Sequence, residues 1–426
     1  MSTLFFWATL ILMFIGMPIV FALLAGPGIA LVIEGHTEYF TLIFNRLYNG
    51  IDSFALMALP FFVLAGELMR VGGITNKLIN LSESFIGHYK GGLAQAAIVS
   101  STIFSSLTGS AVAATSALGT MLIPEMGKRG YKRSFAATLI VASTILGPII
   151  PPSTIMIVYA YVMNISVAAL FAAGIIPGIL MCIGLMIVVR IYAAKYNFPV
   201  GNKSTLKMRL HATYEGFFPL LMPVIILGSI YTGICTATEA AAVAVAYAII
   251  LCFIMKTIKL KDTITIFKNS AISSGVILLL VGVAVSFGSM VSISGIPPKI
   301  ATALLSITNN KYLLLFIVNI LFIIVGMFLD AGPAILILAP IIAPVMTSVG
   351  INPLHFGAIM CINLTIGLAT PPMGLALFVG SGISKIPIEK ITSEIIPFLV
   401  VEYGVVFLMS FIPEIALFLP KILGLV

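Results

Sequence analysis

The sequence predicts an all-α polytopic membrane protein with two inverted repeats, each containing a re-entrant helical hairpin and a broken transmembrane helix. Of its 426 residues, 60% are hydrophobic and only 8% are charged, too few to cover a soluble domain of this size. Apolar windows of about 18 residues or more recur along the whole chain. Two proline-rich interruptions, GPIIPPS at 147–153 and GLATPPM at 367–373, lie at matching places inside such windows.

Composition also excludes several classes of function. The net charge of +8 comes from basic loops beside apolar segments, so we predict contact with membrane lipid and none with nucleic acid. The chain lacks a GxxxxGK[ST] loop, which excludes a nucleotide motor of the P-loop type. Its four cysteines stand singly in apolar spans and its four histidines have no ligand spacing. We therefore expect neither disulfides, nor a metal centre, nor an organic cofactor.

The N-terminal segments differ in their patterns. Residues 3–33 are predicted to form one long retained transmembrane helix, bent at a glycine-proline step, because no cleavage site follows a short apolar core. An acidic loop is expected at 34–52 and a second helix at 53–71. Residues 74–90 alternate apolar and polar side chains at helical spacing, which predicts an amphipathic helix lying in the membrane interface.

The next segment predicts a hairpin. Between residues 105 and 119, 12 of 15 residues are Gly, Ala, Ser or Thr. One straight helix over 93–126 would be about 50 Å long, too long for a bilayer core of about 30 Å. A helical hairpin with its hydroxyl-rich turn at the tip fits better, because small residues let two arms pack closely. The broken helix at 134–163 and a helix at 166–194 follow.

The second half repeats this order after a polar linker at 197–215. Its predicted segments are helices at 216–234, 238–256 and 271–291, an interfacial segment at 296–310, a hairpin at 312–345, a broken helix at 354–384 and a last helix at 395–420. Residues 111–152 and 331–372 share nine identities in 42 aligned positions. With the N-terminus inside, 18 of 22 Lys and Arg residues fall on the cytoplasmic side, and the repeats are then inverted.

The two breaks and two tips carry the chemistry. Proline removes a backbone donor, so carbonyl groups near each break lose their helical partners and are tolerated only where they line a cavity. Hydroxyl and carbonyl oxygens suit Na⁺, and helix N-termini expected at Ser153 and Met373 suit a carboxylate. Asp330 is the only acid at a hairpin tip, which makes it a functional-site candidate. These features predict a secondary transporter.

The chain combines three motifs: TATEAAA at 236–242, FLD at 328–330 with LAPI at 338–341, and GPIIPPS at 147–153. In this combination it resembles, over essentially its whole length, the large membrane subunit of tripartite ATP-independent periplasmic (TRAP) transporters. It implies an elevator-type Na⁺/solute symporter of the bacterial inner membrane, with a small membrane subunit and a periplasmic binding protein that delivers an organic acid. Ala331 departs from the family pattern, in which a proline often follows the aspartate.

The resemblance also implies site residues. One Na⁺ is expected among Ser105, Ser106, Gly109, Gly147 and Ile149. The other is expected among Gly326, Asp330, Gly367 and Thr370. The solute is expected to contact Thr108, Ser110, Ser153, Asp330 and Met373.

The same resemblance divides the chain into a fixed scaffold and a moving core. Residues 1–90 would hold scaffold helices and the first interfacial arm, and 91–196 the first half of the transport domain. Residues 197–311 would hold the linker, further scaffold helices and the second arm, and 312–426 the second transport half. The N-terminus would be cytoplasmic.

Several alternatives stay open at this point. A stand-alone Na⁺/dicarboxylate symporter would need no binding protein, but its hairpin tips usually carry Ser-Asn-Thr, which this chain lacks. A channel would not need inverted internal symmetry. An enzyme is poorly supported, because the sequence has no paired acids or Ser-His set within a plausible site. Sialic acid is the leading solute and a C4-dicarboxylate the next.

Overall fold

A computed structural model describes residues 4–201, 203–308 and 310–426. Residues 1–3, 202 and 309 lie outside the described residues. Residue 3 belongs to the predicted first helix, 202 to the predicted linker and 309 to the predicted second interfacial segment. The described residues are helical and contain no β-strand, only an isolated bridge between Lys90 and Val200. This confirms the all-α prediction.

The described helices are as follows. The first ten are α1 (Leu4–Phe14), α2 (Ile19–Glu34), α3 (Phe40–Ile51), α4 (Ala58–Val71), α5 (Ile74–Ile86), α6 (Gly92–Thr108), α7 (Ala111–Lys128), α8 (Arg133–Thr144), α9 (Thr154–Val162) and α10 (Val167–Lys195). The next ten are α11 (Leu206–Tyr231), α12 (Ala237–Ile254), α13 (Leu260–Ile293), α14 (Ile296–Ile307), α15 (Lys311–Phe328), α16 (Ala331–Ser348), α17 (Pro353–Gly367), α18 (Leu375–Ser384), α19 (Ile388–Phe411) and α20 (Glu414–Ile422).

Eight of the described helices are long and apolar enough to cross a membrane: α4 with the 3₁₀ turn before it, α10 to α13, α15, α16 and α19. Their outer faces are apolar as well. On α10, Ile179, Ile183, Ile187 and Ile191 recur every four residues and are each about half exposed. Such a stripe is stable only against other apolar groups, so it faces lipid or a partner helix.

The prediction of a single helix over 3–33 is wrong. α1 ends at Phe14, and the chain reverses so that α2 packs against α1. The reversal uses Gly16, whose φ of 92° lies in the left-handed region, and Pro18, which cannot continue a helix. Gly26 of α2 lies so close to α1 that a Cβ there would be 2.8 Å from the Thr9 backbone nitrogen. The glycine-proline step is therefore a turn rather than a bend.

Three other predicted boundaries also change. The expected loop at 34–52 contains α3, whose Ile43 carbonyl accepts a 2.9 Å hydrogen bond from Ser286 of α13. The predicted linker ends early because α11 begins at Leu206, capped by the Thr205 hydroxyl. The predicted last helix is two helices, α19 and α20, separated at Pro413. Packing between distant segments or local capping decides each of these.

Both predicted hairpins are pairs of consecutive helices joined by two residues. The arms of the first pack against each other, whereas α15 of the second packs mainly against α17. Gly109 and Ser110 join α6 to α7, and Leu329 and Asp330 join α15 to α16. Gly109 has a φ of 63°, which glycine adopts without strain, and the Ser110 hydroxyl caps α7 by accepting from the Ala113 backbone amide. In the second hairpin, Asp330 occupies the N-cap position of α16.

The two predicted broken helices are also present. α8 and α9 are separated by residues 145–153, and α17 and α18 by residues 368–374. The Pro151-Pro152 and Pro371-Pro372 peptide bonds are both cis.

The repeats contact each other in matching ways. The second arm of the first hairpin, α7, packs against α8 of its own break and α18 of the other break. The second arm of the other hairpin, α16, packs against α17 of its own break and α9 of the other. Each tip is thereby held between the two breaks. This exchange of partners places the four predicted functional segments in one region.

Candidate functional site

The hydroxyl groups of the first hairpin tip bond mainly within their own helix. Ser105 donates to the Ser101 carbonyl at 2.5 Å, Ser106 to Ile103 at 2.8 Å, and Thr108 to Ser105 at 3.1 Å. Such bonds use the hydroxyl proton and leave oxygen lone pairs available. The tip can therefore still offer oxygen ligands, although its donors are occupied.

The first break is closed by Ser153. Its hydroxyl donates to the Pro148 carbonyl and accepts a 3.2 Å hydrogen bond from the Met156 backbone amide, so it caps α9. This confirms the predicted helix start at Ser153. The neighbouring Thr154 reaches the hairpin, where its hydroxyl donates to the Gly109 carbonyl at 3.2 Å.

The second break differs in detail. α18 begins at Leu375 with Gly374 as its N-cap, two residues later than the start expected at Met373. The Ala376 amide bonds back to the Leu368 carbonyl at 2.9 Å, which closes the break through backbone groups. The Thr370 hydroxyl lies 2.8 Å from the Tyr403 hydroxyl of α19 and also donates to the Ile366 carbonyl.

Each break packs on a hairpin through a glycine. A Cβ on Gly147 would lie 2.5 Å from the carbonyl carbon of Ser105. A Cβ on Gly367 would lie 2.5 Å from the carbonyl carbon of Gly326. Both neighbours are backbone atoms, which cannot rotate away. The structure thus brings together the predicted partners Ser105 and Gly147, and Gly326 and Gly367.

We expect Gly147→Ala and Gly367→Ala each to lower the free energy of unfolding by about 1–3 kcal/mol, the usual cost of overpacking. The added methyl group would have to push the hairpin away from the break. A drop of several degrees in the melting temperature of the purified protein would confirm this. Gly404→Ala is the matched control, because nothing lies within 4 Å of its Cβ position. Equal melting temperatures for all three variants would contradict the packing argument.

A cavity of about 480 Å³ lies where the tips and breaks meet. Gly109 and Ser110 of the first tip and Asp330 and Gly332 of the second line it. Pro148 and Leu368 line it from the two breaks. One face of α13, at Val276, Ile277, Leu280 and Val281, forms an apolar wall.

The four helix N-termini of the two tips and two breaks converge on this cavity. Its described lining includes the first residues of α7, α9 and α18, which are Ala111, Thr154 and Leu375, and Asp330, the N-cap of α16. Helix N-termini carry unpaired amide donors and a partial positive charge, so together they favour an anion. Asp330 is the only charged side chain among the described lining residues, and it is exposed there. Its carboxylate can hold a cation beside an anion.

The predicted solute residues are only partly gathered. Ser110 and Asp330 line the large cavity, and Thr108 lines a smaller one next to it. Ser153 is fully buried and bonded to the backbone of its own break, while Met373 is 51% exposed and is absent from the described lining of either cavity. Among the predicted Na⁺ ligands, the Ile149 carbonyl oxygen lies against Gly174 of α10.

The sequence reasoning missed other lining residues. Thr154 borders both cavities. Its position directly after the break motif could have identified it from the sequence. The α13 wall and the Tyr403 partner of Thr370 had no usable signal, because apolar residues and a lone tyrosine in a membrane helix are ordinary packing residues.

Comparison with known proteins gives consistent matches. The family model described as the DctM component of the tripartite ATP-independent periplasmic transporter matches residues 6–415. The sialic acid TRAP transporter large permease protein SiaM of Vibrio cholerae is 38% identical over 412 residues, 96% of each chain. The C4-dicarboxylate TRAP transporter large permease protein DctM of Rhodobacter capsulatus is 34% identical, and the match covers 100% of both chains.

A solved structure is similar as well. The Alcanivorax borkumensis YdaH transporter superposes with a TM-score of 0.65 at 14% identity, covering 89% of this chain and 88% of that one. At this identity the likeness concerns the fold alone.

Proposed function

Because this chain belongs to the DctM-component family of tripartite ATP-independent periplasmic transporters, we propose that it couples Na⁺ entry to the uptake of an organic acid by an elevator mechanism. The chain is a multi-pass permease subunit and not an enzyme. We place it in the bacterial inner membrane with its N-terminus in the cytoplasm. A small membrane subunit would complete the scaffold, and a periplasmic binding protein would deliver the solute.

The observation that carries the proposal is the convergence of four helix N-termini and Asp330 on one cavity. The N-termini offer amide donors to the carboxylate of the solute. Ser110 and Thr154 offer hydroxyl groups to its other oxygens. Asp330 would repel an anion unless a cation stood between them, so the geometry favours binding of solute and Na⁺ together.

The two Na⁺ sites would lie where a break meets a hairpin. Na⁺ is a hard cation that takes neutral oxygen ligands, and broken helices supply carbonyl groups free of helical partners. We assign the first to Ser105, Ser106, Gly109, Gly147 and Ile149, and the second to Gly326, Asp330, Gly367 and Thr370. The close packing of Gly147 on Ser105, and of Gly367 on Gly326, supports this pairing.

We propose sialic acid as the solute, with a C4-dicarboxylate second. A cavity of about 480 Å³ falls within the usual size of small-molecule sites. Its polar rim and apolar α13 wall suit an acid that carries both hydroxyl and apolar groups. The names of the SiaM and DctM relatives support one solute each.

The test is uptake of radiolabelled sialic acid and succinate into proteoliposomes that contain this chain and its small subunit. It is run with and without an inward Na⁺ gradient, and with and without the binding protein. Uptake that needs both establishes the proposal. Uptake that needs Na⁺ but not the binding protein favours the stand-alone symporter. Uptake at the same rate with and without the Na⁺ gradient contradicts Na⁺ coupling.

A further inference from the structure

A second, smaller cavity of about 220 Å³ adjoins the solute cavity. It lies between α4, the first hairpin tip, the start of α9 and the N-terminal part of α13. Its lining is more polar than that of the larger cavity. The polar residues that matter here are Glu67, Arg70, Thr108, Asn269, Ser270 and Ser273. We call it the Arg70 chamber.

The Arg70 chamber and the solute cavity share part of their walls. Ser110, Thr154 and Ile277 border both of them. α13 runs along both: Asn269 and Ser273 line the chamber, and Leu280 lines the solute cavity. These α13 positions span about 17 Å of helix and recur every three to four residues, so they share one face. That face changes from polar at the chamber to apolar at the cavity.

Charge distinguishes the two cavities. Arg70 is the only cationic side chain among the described residues that line either cavity. It is held by Glu67 through two hydrogen bonds, of 2.6 and 2.8 Å, and its side chain is 38% exposed. A guanidinium binds carboxylates through two parallel bonds, and Glu67 occupies that fork. An organic acid carries the same group that Glu67 presents.

We propose that the Arg70 chamber is a second anion subsite, in which Arg70 exchanges Glu67 for the carboxylate of the solute as the solute passes between the cavity and bulk water. The inference rests on the proposed function and adds a residue to its path. Glu67 loses its partner when the solute gains one, so the net gain from the exchange is smaller than that from binding to a free guanidinium. The subsite therefore attracts the anion without trapping it, as a transit site requires.

The subsite predicts opposite effects for the two partners of the pair. Glu67→Gln leaves the Arg70 fork without its carboxylate, so an organic acid should bind about tenfold more tightly and leave more slowly. Arg70→Gln removes the cation, so the acid should bind about tenfold more weakly. The double variant should behave like Arg70→Gln. If the pair only braces α4, both single variants break the same brace and change binding alike.

The experiment measures anion binding and transport side by side. The melting temperature of the purified chain with its small subunit is measured over a range of succinate and sialic acid concentrations. This measurement reports binding without requiring transport. Initial uptake rates in proteoliposomes give kcat and KM for the same variants. Arg46→Gln is the matched control, an exposed arginine outside the described lining of both cavities.

The acid is expected to raise the melting temperature of Glu67→Gln more than that of the wild type, and that of Arg70→Gln less. Arg46→Gln should respond as the wild type does. In uptake, Glu67→Gln should lower both KM and kcat. Equal protection of the two single variants would overturn the subsite. If the wild type transports neither acid, the proposed function fails, while the protection measured on Glu67→Gln and Arg70→Gln still decides whether Arg70 binds anions.

Discussion

Asp330→Asn is expected to reduce Na⁺-dependent uptake by about 10- to 100-fold, the usual effect of removing one charged ligand. Asp330 is the only charged side chain among the described residues lining the solute cavity, and it sits at the N-cap of α16. Asparagine keeps the size and one oxygen but loses the charge that would hold Na⁺. The remaining uptake should also require a higher Na⁺ concentration.

The measurement is the initial rate of uptake against Na⁺ concentration in proteoliposomes. Asp262→Asn is the matched control, because Asp262 is an exposed carboxylate at the first turn of α13 and caps it by accepting from the Lys259 amide. That variant weakens a helix end without touching the cavity. Wild-type Na⁺ dependence in Asp330→Asn would remove Asp330 from the coupling site and leave only the neutral oxygens.

The breaks and hairpins could be predicted because their cause is local. Proline lacks the backbone donor of a helical hydrogen bond in any tertiary context. Gly109 adopts the left-handed conformation that the reversal at the first tip needs. The two tips and two breaks meet because each repeat inserts a helix into the other, a consequence of the internal repeat. Their convergence was therefore also within reach of the sequence.

The failures have two causes, contacts between distant segments and the local closure of each break. The turn between α1 and α2 depends on Gly26 fitting against Thr9, and α3 depends on its packing against α13. Ser153 is a good donor by its chemistry, but the geometry of the break turns its hydroxyl to the Pro148 carbonyl. The helix start expected at Met373 was two residues too early, because the backbone of the second break closes differently from that of the first.

The two hairpins contact α4 and α13 at different distances from their tips, and this asymmetry predicts a second conformational state. Gly66 of α4 meets the very end of the first hairpin, since a Cβ there would lie 2.9 Å from the Thr108 Cα. Upstream of the hairpins, a two-residue gap in the repeat aligns Gly66 with Gly288 of α13, and Gly73, Ile74 and Lys77 with Gly295, Ile296 and Lys299. Gly288 instead meets Pro340 of α16. Pro340 is the tenth residue of α16, about 14 Å along the helix from the tip.

An elevator would exchange these two contacts. In the other state Gly288 should meet Phe328 at the tip of the second hairpin, and Gly66 should meet Thr120, the counterpart of Pro340. Both Phe328 and Thr120 are exposed in the structure, as the exchange requires. The expected movement of the core is therefore about 14 Å along the hairpin axis.

Cysteine pairs test this exchange directly. A Cβ at Gly288 would lie 3.6 Å from the Pro340 Cβ, inside the range of about 3.5–4.5 Å that a disulfide needs. We expect oxidised Gly288→Cys/Pro340→Cys to lose nearly all uptake and to recover it on reduction. The pair Gly288→Cys/Phe328→Cys should also form a disulfide, more rapidly when Na⁺ and solute allow the core to move.

The single variants Gly288→Cys, Pro340→Cys and Phe328→Cys control for the substitutions, because none of them can form the new bond. If the Gly288–Pro340 disulfide forms and uptake continues, α16 does not slide past α13 and the elevator mechanism fails. If that lock works but Gly288 never reaches Phe328, the core moves in another direction. If both pairs form and both block uptake, Gly288 moves between Pro340 and Phe328 during transport, as the exchange requires.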